Sequence, residues 1–224
     1  MPAYRSDAEA KIRTAIVDRL RQMRPDARII HEINVSTYGP NRIDVMAVSP
    51  DTIIAVEIKS EKDKLDRLPA QMLAMKGCAH HAIAAIHETF LVERETNAGA
   101  AQYERDGKHY MLALPDVVGH DIAWVFPEAP RALDSDYDWL FPWRMPQRLV
   151  GVTLPHCSLD LLWRDELAWL CARLRIAAGR RSTMSEMVTA LRWHCNGQEL
   201  TGGICAALRM RRCVEADPEI AEAA

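Results

Sequence analysis

The chain has 224 residues, of which 49% are hydrophobic and 26% charged, with a formal net charge of -3. That length and composition allow a well-buried core and exclude wholesale disorder, and no apolar run approaches the ~18 residues that a membrane span needs. The weakly acidic balance gives no bulk-charge argument for nucleic-acid binding, so any such role must rest on local clusters.

The charged segment 1–11 has no apolar centre and does not read as a secretory signal. Cys78, Cys157, Cys171, Cys195, Cys205 and Cys213 include no C-x-x-C pair. We expect free thiols and a cytoplasmic location. His156-Cys157 and His194-Cys195 lack the two-to-four-residue ligand spacing of structural zinc sites.

In chain order, Ile12, Ala15, Ile16, Leu20 and Met23 lie at helical spacing and predict a helix over Ser6–Met23. Ser6-x-x-Glu9 fits a capping box at its start, with Glu9 reaching back to Ser6. Arg28–Val35 predicts a strand, and Tyr38-Gly39-Pro40-Asn41 a turn. Arg42–Val48 and Thr52–Lys59 flank Ser49-Pro50-Asp51 as a hairpin. A helix is expected over Pro69–Cys78, with proline near its first position, and a strand over His81–Ile86. Residues 88–106 read as weakly helical. Tyr110–Leu114 and Ile122–Phe126 predict short strands. The proline-, tryptophan- and aspartate-rich stretch 127–157 is an irregular connection. Helices follow over Ser158–Leu174 and over Thr183–His194, the latter opened by the capping box Thr183-x-x-Glu186, and a last helix runs to about Arg212. The domain division is therefore a core over 1–126, the connection, a helical extension over 158–213 and a frayed tail over 214–224.

The hairpin carries the chemistry. Antiparallel pairing about Pro50-Asp51 brings together residues whose numbers sum to about 101. Ile43, Val45 and Ala47 then meet Ile58, Val56 and Ile54 on one apolar face. On the other face Asp44 falls opposite Glu57, and Arg42 opposite Lys59. Two opposed carboxylates repel unless a cation lies between them, and magnesium takes hard oxygen ligands of this kind. Lys59, two residues past Glu57, points the same way and can hold a water or stabilise phosphate charge. These are the parts of metal-assisted phosphodiester hydrolysis. The bland alternative is an exposed sheet face with cross-strand ion pairs.

Asp44, twelve intervening residues and Glu57-Ile58-Lys59 resemble the signature of the PD-(D/E)xK nuclease superfamily. The run from Glu57 to Leu68 resembles small bacterial and phage nuclease-like proteins related to the VRR-NUC type. His109–Gly119 and Leu161–Leu167 also look like that group. The likeness is specific over 1–87 and loose beyond. It implies an α/β chain with a restriction-endonuclease-like αβββαβ core and mixed sheet, plus the C-terminal helical extension. It implies Asp44, Glu57, Lys59, Gln71 and Glu9 as catalytic residues. It also implies magnesium or manganese held by Asp44, Glu57 and Glu9, with the Ile58 carbonyl a further ligand. Ile43 stands where the name's proline would be. Glu9 serves the capping reading equally well, and Glu32 on the first strand is another candidate acid. The carboxylates are expected to stay ionised at neutral pH, favoured by the cation and Lys59.

Residues 1–30 carry a basic excess of about three, counting Arg13 and Arg28, and 160–213 an excess of about four. Arg42, Arg67, Arg180 and Arg181 are the candidate phosphate contacts. Thr183–Arg212 could form a helix-turn-helix, an idea that Gly202-Gly203 weakens. Trp163, Trp169 and Trp193 are expected in the core. The expected function is a metal-dependent nuclease, acting on DNA as partner. The contrasting reading is a catalytically silent DNA-binding or regulatory module of the same fold. One site per chain makes a homodimer attractive for cutting both strands.

Overall fold

The computed structural model describes residues 6–35, 42–119, 122–127, 143–144, 151–213 and 215–220. Helix α1 spans Asp7–Met23, with the Ser6 hydroxyl accepting from the Glu9 amide at 3.2 Å. Strands β1 (Arg28–Asn34), β2 (Arg42–Val48) and β3 (Ile53–Lys59) form an antiparallel meander. Helix α2 (Leu68–Lys76) crosses over to β4 (His81–His87), which pairs parallel to β3. The last strand of this sheet, β8 (Ile122–Phe126), pairs parallel to β4. The result is a five-stranded mixed sheet in the order β1-β2-β3-β4-β8. The order helix, strand, strand, strand, helix, strand expected from the sequence is the order found.

Both faces of the sheet are covered, which explains the near-continuous apolar reading of β3 and β4. Ile12, Ile16 and Leu20 of α1 pack on Val45, Ala47, Ile54 and Val56. On the opposite face Met72 and Met75 of α2 share one core with Met46, Val48, Ile53 and Ala55. That core also takes in α3 (Arg164–Arg173), α4 (Met184–His194) and α5 (Gly197–Met210) through Leu170, Leu191 and Ile204. The C-terminal helices are therefore part of the sheet's second layer. The Thr183 capping box forms with both its hydrogen bonds. Gly203 is where α5 meets α3: a Cβ there would sit 2.2 Å from Leu170 Cδ1.

Several expectations are corrected. Residues 88–106 are not helical. They hold β5 (Val92–Thr96) and β6 (Tyr103–Arg105), which pair with β7 (Lys108–Ala113) in a separate three-stranded sheet. The pair Asp106-Gly107, both at positive φ, was the available signal. Cross-strand pairs Arg105–Glu93 at 2.5 Å and Lys108–Glu95 at 2.9 Å hold this exposed sheet.

The helix expected from Ser158 splits into a 3-10 segment, His156–Leu161, and α3. The helix-turn-helix reading fails physically, because α5 buries Leu200, Ile204, Ala207 and Leu208 and presents no free face to a groove. Trp163 and Trp193 are 55% and 81% exposed, not core. Instead Trp143 is buried, stacked on Trp124 with centroids 5.2 Å apart. Nor is the described tail frayed: Ala216 bridges to Ile30 of β1, and Asp217 bonds the Ile29 amide at 3.0 Å. The six cysteines are unpaired. The Tyr38–Asn41 turn and most of the 127–157 connection lie outside the described residues. No helix among the described residues is long and apolar enough to cross a membrane.

Candidate active site

The hairpin register follows the expected sum, pairing Val45 with Val56 and Ala47 with Ile54. The regular ladder then stops. Asp44 does not pair with Glu57 through the backbone; its Oδ2 accepts from the Ile58 amide at 2.8 Å. Ile43 joins the Met46 and Val48 core instead of facing Ile58, so the alternation of faces breaks at Asp44. Arg42 does not face Lys59 either. It reaches across to Glu32 on β1, Nε to Oε2 at 2.5 Å.

The cause of the break lies on β1. Its pairing with β2 runs through His31–Val45 and Ile33–Ile43 but skips Glu32 and Asp44. Glu32 holds φ of 58°, left-handed backbone that costs a non-glycine residue about 1–3 kcal/mol. This local distortion frees Glu32 and Asp44 from the ladder and turns their carboxylates to one place.

Next to them, β3 and α2 build a compact trio. Lys59 Nζ donates to Glu57 Oε1 at 2.7 Å and to Gln71 Oε1 at 2.8 Å. Gln71 Nε2 donates to the same Glu57 oxygen. All three are buried, Glu57 to 2% exposure. Its second oxygen, Oε2, is buried without a hydrogen-bond partner among the described residues. Burial, reinforced by the Asp44 charge and opposed by Lys59, pushes Glu57 up to about 7. Burial also raises Asp44, against the Ile58 amide bond and Arg13. The expectation of carboxylates ionised at neutral pH included a cation at the site; without one, desolvation outweighs Lys59 at Glu57.

Glu9 does not complete the capping box. Its carboxylate pairs with Arg13 at 2.5 Å, one turn along α1. Arg13 is 1% exposed and also meets Glu32 at 2.8 Å. Sequence reasoning missed it by counting it among outward-facing bases. The available signal was its place next to Ile12 and three before Ile16 on the buried stripe, four residues after an acid. Arg28 is likewise buried, donating to the carbonyls of Leu208 and Arg209, and is no phosphate contact.

Beside these groups lies an open cleft of about 410 Å³. Glu9, Asp44, Glu57, Ile58, Lys59 and Gln71 all border it, as do Arg42 and Arg67. Lys62, which sequence reasoning did not single out, adds a base at the same cleft. Arg180 and Arg181 do not border it; they are exposed on the connection between α3 and α4.

Residues 3–93, less than half of the chain, match the family described as bacteriophage P4 protein cII. The matched span holds every residue named above as bordering the cleft. No curated protein and no solved structure matches the chain.

Proposed function

We propose that the chain is a metal-dependent nuclease that hydrolyses phosphodiester bonds, with DNA as substrate and a restriction-endonuclease-like core. The observation that carries this reading is the Glu57 carboxylate. One oxygen is held by Lys59 and Gln71, while the other is buried without a hydrogen-bond partner among the described residues, at an open polar cleft that Asp44 also borders. A buried orphan oxygen costs about 1–3 kcal/mol unless something fills its lone pairs.

That oxygen, Asp44 and the Ile58 carbonyl are the hard donors that magnesium or manganese takes, so the residues fit such an ion. When bound, the ion supplies Lewis-acid stabilisation of charge on the phosphate and lowers the pKa of water. Glu9 is less suited as a ligand because Arg13 engages it. Lys59 carries an ammonium that can orient the attacking water or meet the charge that builds on the phosphoryl oxygens. Gln71 holds both Glu57 and Lys59 in place. Arg42, Lys62 and Arg67 border the cleft and can bind backbone phosphates without reading sequence.

The test is magnesium- and manganese-dependent cleavage of plasmid and single-stranded DNA by wild type, Asp44→Ala and Lys59→Ala, with folding and DNA binding checked in each. Loss of cleavage in both folded variants supports the reading. Absence of cleavage from every sample, with binding retained, favours a silent DNA-binding module. Cleavage retained by both variants places the activity elsewhere.

A further inference from the structure

Arg13 stands at the centre of a carboxylate triad drawn from three elements. Its Nη2 lies 2.5 Å from Glu9 Oε1 on α1, 2.8 Å from Glu32 Oε1 on β1 and 3.7 Å from Asp44 Oδ1 on β2. Its Nη1 donates to the Asp44 carbonyl at 2.6 Å. One atom from each of the three carboxylates lies within 4.8 Å of the others, a spacing that could hold a metal ion. A guanidinium already fills that space.

The triad has a further connection. Asp44 gives Oδ1 to the Arg13 side and Oδ2 to the Ile58 amide, in the strand that carries Glu57 and Lys59. Arg13 thus grips both the main chain and the side chain of Asp44, at the point where the β2–β3 ladder ends. A guanidinium does not deprotonate in proteins and offers several donors in a fixed plane, so it is a permanent cation with fixed geometry.

We propose that Arg13 is an internal cation occupying the place of a second divalent ion. The cleft then takes one exchangeable ion, between Asp44 and Glu57, and Arg13 is the positioning residue that holds Asp44 for it. This rests on the reading that Asp44 and Glu57 bind a divalent ion. Glu9 and Glu32 serve to anchor Arg13, not to ligate that ion.

The experiment is manganese binding to the full chain, by calorimetry and by electron paramagnetic resonance of free ion, at fixed pH. Wild type is expected to bind one ion, Glu57→Gln none, Arg13→Met two, and Arg13→Met with Glu57→Gln one. Two ions on wild type, or still one on folded Arg13→Met, overturns the proposal. No ion on wild type but one on Arg13→Met sinks the Asp44–Glu57 reading and leaves the placement of Arg13 standing. If Arg13→Met is unfolded without metal, manganese or low concentrations of guanidinium ion should restore its circular dichroism and thermal transition. Rescue by neither overturns the proposal.

Discussion

Asp44 receives the Ile58 amide at 2.8 Å where the backbone ladder between their strands has just ended. A side chain thus replaces a main-chain acceptor at the point where Asp44 and Glu57 border the cleft.

Lys59 and Gln71 should separate by degree. Lys59→Ala removes the ammonium beside Glu57 and is expected to lower cleavage by about 10²–10³-fold. Gln71→Ala removes only the bridge and should cost about 10–100-fold in activity or manganese affinity. Single-turnover rates at saturating metal distinguish the two. Equal losses would argue against a direct role for Lys59.

Glu57 gives a pH signature. Its ordinary value of 4.5 is raised to about 7 in the folded protein. Between those values the metal-free fold keeps a proton that the unfolded chain has released. Stability from this group is present below the unfolded value and falls as pH rises through the window. Manganese requires the carboxylate, so its affinity should climb from about pH 6 to about pH 8, with proton release. Glu57→Gln should remove the Glu57 contribution to the stability slope in that window. His31 acts oppositely: burial and Arg13 lower it to about 4 from 6.5, so stability falls as pH drops below 6.5. That second slope should survive in Glu57→Gln, as read by urea midpoints across pH.

Gly203→Ala should destabilise by about 1–3 kcal/mol, because its new methyl meets buried Leu170 and the α3–α5 contact cannot widen freely. An unchanged urea midpoint would mean that Leu170 repacks at no cost.

Ending the chain after Cys213 removes the strand-like pairing of the tail with edge strand β1. The bonds lost include His31 amide to Glu215 carbonyl at 2.8 Å and Asp217 amide to Ile29 carbonyl at 2.9 Å. The expected cost is about 1–3 kcal/mol, with faster hydrogen exchange at Ile29 and His31. Asp217→Ala should show a smaller version of both effects.

Much of the fold was legible because local pattern and burial agree. Helical spacing marked α1, and the sum rule about Pro50-Asp51 gave the β2–β3 register through Val45–Val56. Residues 88–106 were misread because β5 and β6 are exposed, charged strands with no apolar alternation, although Asp106-Gly107 marks the β6–β7 turn. Trp163 and Trp193 were misplaced because helical spacing among apolar neighbours does not say which face finds a partner.

At the cleft, strand pairing and side-chain alternation are local rules, and they suffice to bring Asp44, Glu57 and Lys59 to one end of a hairpin. Gln71 came from the likeness, and the fold brings it onto the same pair. What surrounds Asp44 on its other side depends on packing across the sheet. Glu32 and Arg13 arrive from a neighbouring strand and a helix packed across the sheet, and the left-handed backbone at Glu32 that turns its carboxylate inward leaves no mark in residue spacing. The burial that raises Glu57 is likewise a sum over distant elements, so it exists only once they have packed.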